Sequence, residues 1–270
     1  MARPPRAIYI LRHGIRQDFI STTFISPTSR TQDPPLSASG HAQAASLARF
    51  LGGLPASASI KHIFCSPFSR CIQTVHPTAL ALGLPINIEP GVGEWFKLIA
   101  GEQGDAESEA PSAKEVAAAL DVGEGTAAGQ IDTTYAPVHP LRVPRENPAQ
   151  IHARFNSVLK GLVQRLDDAG VEGDVLVCTH AAGVITAVRG LLEWVHAPVV
   201  AGVCTYVKLV RDGGDVAEGQ REWKCEVNGE CTHLSEHGGL MYNWQFPGAF
   251  APVGAYVDIF NPPPIEVGKL

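Results

Sequence analysis

The stretch "IYILRHGIR", Ile8–Arg16, runs through an apolar segment and then places Arg12, His13 and Arg16 within five positions. A continuous apolar run reads as a strand buried on both faces, which is how parallel sheets covered by helices are built. Nothing in the packing of such a strand calls for cations at its end. Two further segments repeat the design: "KHIFCSPFSR" (Lys61–Arg70) and "DVLVCTHAAG" (Asp174–Gly183). Together the three predict an α/β fold, with a mostly parallel central sheet flanked by helices on both faces.

The covering helices are legible between the strands. "LSASGHAQAASLARFLGG" (36–53) has a Ser/Gly start, an Ala/Leu body and a Gly pair as its stop. "NPAQIHARFNSVLKGLVQRLDDAG" (147–170) puts Ile151, Phe155, Val158, Leu159, Leu162 and Leu166 on one stripe, with Asn147 as cap, Pro148 at the first position and Gly170 as the end. Ser66-Pro67 predicts the cap and first position of another helix, with Arg70 in its first turn. From Lys97 to Thr133 the composition shifts to Gly, Ala, Glu and Ser, which reads as an insertion, helical around Ala113–Leu120 and otherwise mobile. It is expected to form a lid over the strand ends. Residues 247–270, rich in proline, read as an extended tail, and the chain as a single domain.

With 270 residues and 45% apolar content the chain can bury a full core. A net charge of -6 with 21 Lys+Arg gives no footprint for direct nucleic-acid binding, so any basic site must be local. No stretch approaches the roughly 18 apolar residues of a membrane helix, and "MARPPR" leads straight into a strand, so the expectation is a soluble protein of the cytoplasm and/or nucleus. Cys65, Cys178 and Cys204 lie inside apolar runs and no CxxC pair exists, which fits free thiols in a reducing compartment. Cys225, Cys231, His233 and His237 lie close in sequence, but their spacing matches no zinc finger or ribbon; the "NG" at 228–229 predicts a hairpin turn there instead.

In open α/β sheets, ligands bind beyond the carboxyl ends of the strands. All three apolar runs deliver their unusual residues at that end: Arg12, His13 and Arg16 from the first, Arg70 from the second, His180 from the third. Unit charges about 4 Å apart repel by several kcal/mol at surface-like dielectric, so something negative should complete such a cluster. Guanidinium forks match phosphate oxygens two at a time, which makes a phosphoryl group the economical ligand.

These residues carry a family resemblance. "LRHGIR" resembles the Arg-His-Gly signature of the histidine phosphatase (phosphoglycerate-mutase-like) superfamily, and "DPPLSASGHAQA", "CSPFSRCIQT", "EPGVGEW" and "VCTHAAGV" continue the likeness in order over most of residues 6–190. The resemblance implies that His13 is the nucleophile, that Arg12, Arg16, Arg70 and His180 bind the phosphoryl oxygens with Ala181 among the phosphate-binding positions, and that Glu94 is the proton donor. It implies a phosphohistidine intermediate, no cofactor and no metal. Glu94 lies in a loop beside an aromatic, where desolvation is expected to raise its pKa as a general acid needs; Glu102, Asp105 and Glu107 are its substitutes.

Ile15, where mutases carry Glu, and Ala181, where acid phosphatases carry Asp, turn the reading away from both groups. The pattern is most similar to the phosphatase domains of the suppressors of T-cell receptor signalling and to the fungal tau-subunit-like phosphatases. The implied substrate is a phosphorylated small molecule or a phosphoprotein, phosphotyrosine-like or a small metabolite, with Phe19, Phe24, Trp95 and Phe96 as candidate walls. A sugar bisphosphate is the alternative, if Arg30, Lys97, Arg142 and Arg145 hold a second phosphate. A weakly active module in a transcription-factor assembly is the rival from another class; a homodimer or an assembly subunit are the partner states left open. Cysteine phosphatases need Arg six positions after Cys, which no cysteine here provides, and there is no GxxxxGK[ST] or GxSxG motif.

Overall fold

The computed structural model describes residues 6–55, 59–97, 108–139, 142–143, 145–213, 220–237 and 242–246. In chain order these form β1 (Arg6–Arg12), α1 (Ala38–Gly52), β2 (Ile60–Cys65), α2 (Ser69–Leu82), β3 (Asn87–Ile88), β4 (Phe96–Lys97), β5 (Ser108–Glu109), α3 (Ala113–Ala119), β6 (Arg142–Val143), β7 (Arg145–Glu146), α4 (Pro148–Asp168), β8 (Asp174–Thr179), α5 (Ala181–Leu191), β9 (Tyr206–Arg211) and β10 (Lys224–Glu230). Six of the strands make the central sheet, in the order β10-β9-β1-β8-β2-β3. The four from β1 to β3 in that order are parallel, and β9 and β10 add an antiparallel edge. The three apolar runs are thus neighbours, with β8 inserted between β1 and β2.

Both faces are covered, as continuous apolar strands require. On one face α4 and α5 pack Phe155, Val158, Leu159, Leu162, Ile185 and Val188 onto Ile8, Ile10, Val175 and Val177. On the other, α1 and α2 set Leu47, Leu51, Ile72 and Val75 against Tyr9, Leu11, Ile63 and Leu176. Asn147 caps α4 in a capping box with Gln150, and Gly170 beyond its end takes φ +64. Ser37 caps α1 by accepting from Gly40 N–H.

Several expectations change. The helix after β2 begins at Ser69, capped by neither Ser66 nor its own N-cap residue Phe68. Its first amide is satisfied from a distance: Asp33 accepts from Ser69 N–H at 2.8 Å and from Ser69 Oγ at 2.7 Å. The "NG" pair is no hairpin turn; β10 runs through it with two register shifts against β9. Asn228 spends its side chain on Val200 N–H and Pro198 C=O, and Gly229 takes φ +85, so tertiary bonds override the local turn preference. All six cysteines are free thiols. Cys225 and His233 turn to backbone carbonyls, of Val227 and Cys204, and the side chain of His237 lies outside the described residues.

The described half of the 97–133 segment carries α3, capped by Ser112 and Glu115. Val116, Ala117 and Ile131 are buried in the same core as Leu47 and Ile72, and Ile131 bridges to Ile86 next to β3, so this half widens the packed edge of the sheet. The lid expected of the segment, the carboxylates Glu102, Asp105 and Glu107, and the tail 247–270 lie outside the described residues. Among the described residues no helix is long and apolar enough to cross a membrane.

Gly40 shows how tightly α1 meets the turn after β1. A Cβ there would collide with the Ile15 carbonyl and lie 3.1 Å from Ile15 N. Gly40→Ala is therefore expected to destabilise the protein by about 1–3 kcal/mol, the cost of overpacking, read as a lowered midpoint in chemical denaturation.

Candidate active site

The carboxyl ends of β1, β8 and β2 are aligned by the sheet and then stitched for one residue beyond it. Arg12 stands opposite Thr179, and Cys65 opposite Cys178. Past the ladder, His13 N–H donates to Thr179 C=O and Ser66 N–H to Cys178 C=O, both at 3.0 Å. The turn "HGI" is held from the covering helices: Gly14 N–H donates to Thr74 Oγ1 and Ile15 N–H to Gln43 Oε1, both at 3.0 Å. Ser37 Oγ donates to Ile15 C=O. Ser37, Gly40, Gln43 and Thr74 thus fix the backbone on which His13 is mounted.

His13 is 2% exposed and its ring lies 5.3 Å from that of His180. Its Nδ1 is 2.8 Å from Gly14 C=O. A carbonyl only accepts, so Nδ1 carries the hydrogen and Nε2 keeps its lone pair. Burial, joined by the charges of Arg70, His180, Arg12 and Arg16, holds the imidazole well below its ordinary pKa. At neutral pH His13 is therefore an uncharged base with a free Nε2.

The cations around it are each answered. Arg70, 1% exposed, lies 3.5 Å from Asp33 and donates to Glu94 Oε2 at 3.1 Å. Arg16 forks onto Asp18, Nε and Nη2 each at 2.9 Å. Arg12 sends Nη1 to the carbonyls of Ala201 (2.7 Å) and Tyr242 (2.6 Å). Burial lowers Arg12 to about 10, which leaves it charged at neutral pH. Arg12 Nε and Arg70 Nε are buried with no acceptor among the described residues, so donors remain in excess.

Glu94 closes the cluster. Oε1 accepts from Trp95 N–H at 2.9 Å, while Oε2 lies 3.1 Å from Arg70 Nη2 and 3.2 Å from His180 Nδ1. Desolvation pulls its pKa up, as expected from the loop, but is outweighed by His180 and Arg70, and the carboxyl is held well below the usual range. The sequence-based expectation of a raised value is thus reversed, because the loop delivers the group onto two cations. On His180, burial opposes charge and Cys71 and Glu94 favour it, with a net rise. The buried Cys71 thiol holds its proton, so Glu94 is the effective partner. His180 Nε2 is 2.8 Å from Ser66 Oγ, which accepts when the ring is charged. Ala181 opens α5 directly after His180, where helix amides have no intrahelical acceptor.

The donor atoms of His13, Glu94 and His180 lie within 4.8 Å of one another, the one group of three potential metal ligands among the described residues. A dication there would share Glu94 Oε2 with Arg70 and face Arg12 and Arg16, so the donor set suits an anion far better than a metal.

Of the proposed walls, Phe19 lies under Arg16 at 4.5 Å and against Tyr242 at 5.0 Å, Phe24 is half-buried, and Phe96 meets Phe68 at 5.9 Å. Trp95 instead turns into the core against Phe246. Phe68, edge-on to His180 at 5.4 Å and 4.7 Å from the Arg70 guanidinium carbon, takes a place not foreseen. Asp33, Ser66 and the Tyr242 carbonyl were also missed; the one signal near the first two was that they stand at or next to the start of the motifs "DPPLSASGHAQA" and "CSPFSRCIQT". Arg30 pairs with Glu115 at 3.6 Å, Arg145 is half-buried in β7, and the side chains of Lys97 and Arg142 lie outside the described residues.

The chain has relatives both in sequence and in fold. The Transcription factor tau 55 kDa subunit of Saccharomyces cerevisiae is 26% identical, over 93% of this chain and 61% of its own. Ecdysteroid-phosphate phosphatase of Drosophila melanogaster is 29% identical, over 69% of this chain and 27% of its own. Human Ubiquitin-associated and SH3 domain-containing protein B is 29% identical, over 66% and 30%. The chain thus spans less than two thirds of each relative's length. The crystal structure of the ecdysone phosphate phosphatase from Bombix mori in complex with tungstate shares the fold, with a TM-score of 0.59 at 18% identity, covering 82% of this chain and 92% of that one. The sequence model of the Histidine phosphatase superfamily (branch 1) matches residues 8–200, and the chain belongs to that superfamily.

Proposed function

We propose that the chain is a metal-independent phosphomonoesterase acting through a phosphohistidine on His13. The observation that carries this reading is the neutral, Nδ1-protonated His13 set among Arg12, Arg16, Arg70 and His180. Nε2 attacks phosphorus in line, the bond from phosphorus to the ester oxygen breaks, and the leaving oxygen takes a proton from the Glu94 carboxyl. The arginines and His180 hold the charge on the equatorial oxygens. Water then attacks the phosphohistidine, gives its proton to the Glu94 carboxylate, and the N–P bond breaks to release phosphate.

Glu94 is ionised beside Arg70 and His180, whereas the first step needs it protonated. The arriving phosphoryl dianion supplies the difference. It takes over the charge of Arg70 and His180 and places its own beside the carboxylate, and both effects raise the Glu94 pKa.

The substrate class that fits best is an ester with an apolar leaving part, phosphotyrosine-like or a small metabolite. Phe19 and Tyr242 meet beside Arg16, and Ile20, Ile25 and Tyr242 are 61%, 90% and 51% exposed. A sugar bisphosphate is less well served, since Arg30 already faces Glu115. Six free thiols fit the cytoplasm and/or nucleus. A second reading, a feebly active module in an assembly, rests on the tau-subunit relative, which matches 93% of this chain.

Hydrolysis of an aryl phosphate in excess chelator should proceed with wild type and fall by about 10³-fold or more in His13→Ala, in the range that losing a nucleophile costs. Loss of turnover with chelator refutes the metal-free mechanism, and full activity in His13→Ala refutes the nucleophile. No turnover in wild type that still binds vanadate favours the assembly module.

Calorimetry of sulfate binding near pH 6, where the ligand is a dianion with no proton of its own to give up, should show net proton uptake in buffers of different ionisation enthalpy. The sign follows from a Glu94 pKa that is low in the free protein and raised in the complex. Glu94→Gln should abolish the uptake.

A further inference from the structure

Glu94 lies on no regular element of its own: it follows the 3-10 turn Pro90–Val92 and precedes the two-residue β4, with Gly91 and Gly93 just before it. A loop carboxylate that must meet a leaving oxygen needs a fixed backbone. We propose that Arg154, held in place by Glu146, is the positioning residue for Glu94; this rests on the reading of Glu94 as proton donor given above.

Arg154 projects from the buried face of α4 and is 6% exposed. Its Nη1 donates to Gly91 C=O at 2.7 Å and to Gly93 C=O at 3.3 Å, and its Nη2 reaches Glu94 C=O at 3.4 Å. The carbonyl between them, Val92, accepts from Thr179 Oγ1 at 2.6 Å. Four successive carbonyls ending at Glu94 are thus gathered by buried side chains, from α4 and from the strand end next to His180. On its other edge the guanidinium forks onto Glu146, Nε at 2.8 Å and Nη2 at 2.7 Å. Glu146, 3% exposed, also holds the far side of the loop: its backbone pairs with Lys97, and its carbonyl accepts Trp95 Nε1 at 2.8 Å.

The division of labour follows from charge. Glu146 neutralises Arg154, so Arg154 does not compete with Arg70 for the Glu94 carboxylate or for a phosphoryl group. A buried ion pair is weak evidence for stability, since apolar pairs of the same shape often do as well. An apolar pair could not draw carbonyls together. The fork onto Glu146 and the reach to three carbonyls use all three nitrogens of one planar guanidinium, which lysine cannot reproduce.

The test compares kcat/KM for 4-nitrophenyl phosphate, whose leaving group needs little protonation, with that for an alkyl phosphate, whose leaving group needs it fully. Glu94→Gln should lose far more on the alkyl ester, in the range of about 10²–10⁴-fold typical of general acids. Arg154→Met and Arg154→Lys should show the same split, about 10–100-fold on the alkyl ester, as a misplacement near 1 Å costs, with a few-fold loss on the nitrophenyl ester. Vanadate affinity should stay within about threefold of wild type, because the cradle is untouched. Glu146→Gln, which keeps shape and removes the counter-charge, should show the split too, and it carries the test if the Arg154 variants do not fold. A split in Glu94→Gln with equal losses on both esters in the Arg154 and Glu146 variants overturns the positioning role alone. No split in Glu94→Gln overturns the proton-donor reading beneath it.

Discussion

The site depends on one constraint, the register of three parallel strands. Because β1 and β2 flank β8, with Arg12 opposite Thr179 and Cys65 opposite Cys178, the residues following each strand emerge side by side. The chain order is β1, β2, β8, so the middle strand arrives last and places His180 between groups already set. A one-residue slip of β8 would turn its side chains to the other face and remove His180 from the cluster. Apolar packing on both faces makes such a slip expensive, and in this way the core enforces the chemistry.

Charge balance inside the cluster is the second constraint. Arg70 is shared between Asp33 and Glu94, and Asp33 also caps α2, so the helix start and the cation it carries are fixed by one carboxylate. Arg12, by contrast, has backbone carbonyls for acceptors. Carbonyl dipoles hold a guanidinium without cancelling its charge, which leaves Arg12 positive toward the pocket. The cations are therefore oriented by the protein itself, and on the proposed mechanism the reorganisation at binding would fall chiefly on Glu94.

What was legible in the sequence is what sequence records locally. The β1, β2 and β8 runs, the α4 stripe of Ile151 to Leu166 and its Asn147 cap repeat at short spacing, and each appears where its pattern puts it. What was illegible depends on partners far along the chain. Asp33 reaches Ser69 across 36 positions and Arg154 reaches Gly91 across 63, and no local pattern marks either pair. Ser66 has the local look of a helix cap, yet its hydroxyl is used by His180, 114 positions away. Likewise "NG" is a turn signal that Val200 and Pro198 override from outside.

The reversal at Glu94 follows the same logic one level up. Its sequence neighbours, Trp95 and Phe96, suggest an apolar setting and a raised pKa, and burial does act in that direction. Which way the balance falls is decided by Arg70 and His180, brought from α2 and from the end of β8. A carboxyl placed between opposing influences of this size responds strongly to any added charge, because removing the cations' hold exposes the full desolvation penalty. The ionised form is held by His180 and Arg70 against the desolvation of the site, so a ligand that occupied those cations would tip the balance toward the protonated form. On the mechanism proposed above, a proton donor built this way would gain its proton where and when a phosphoryl dianion is present, and would need no permanently raised pKa.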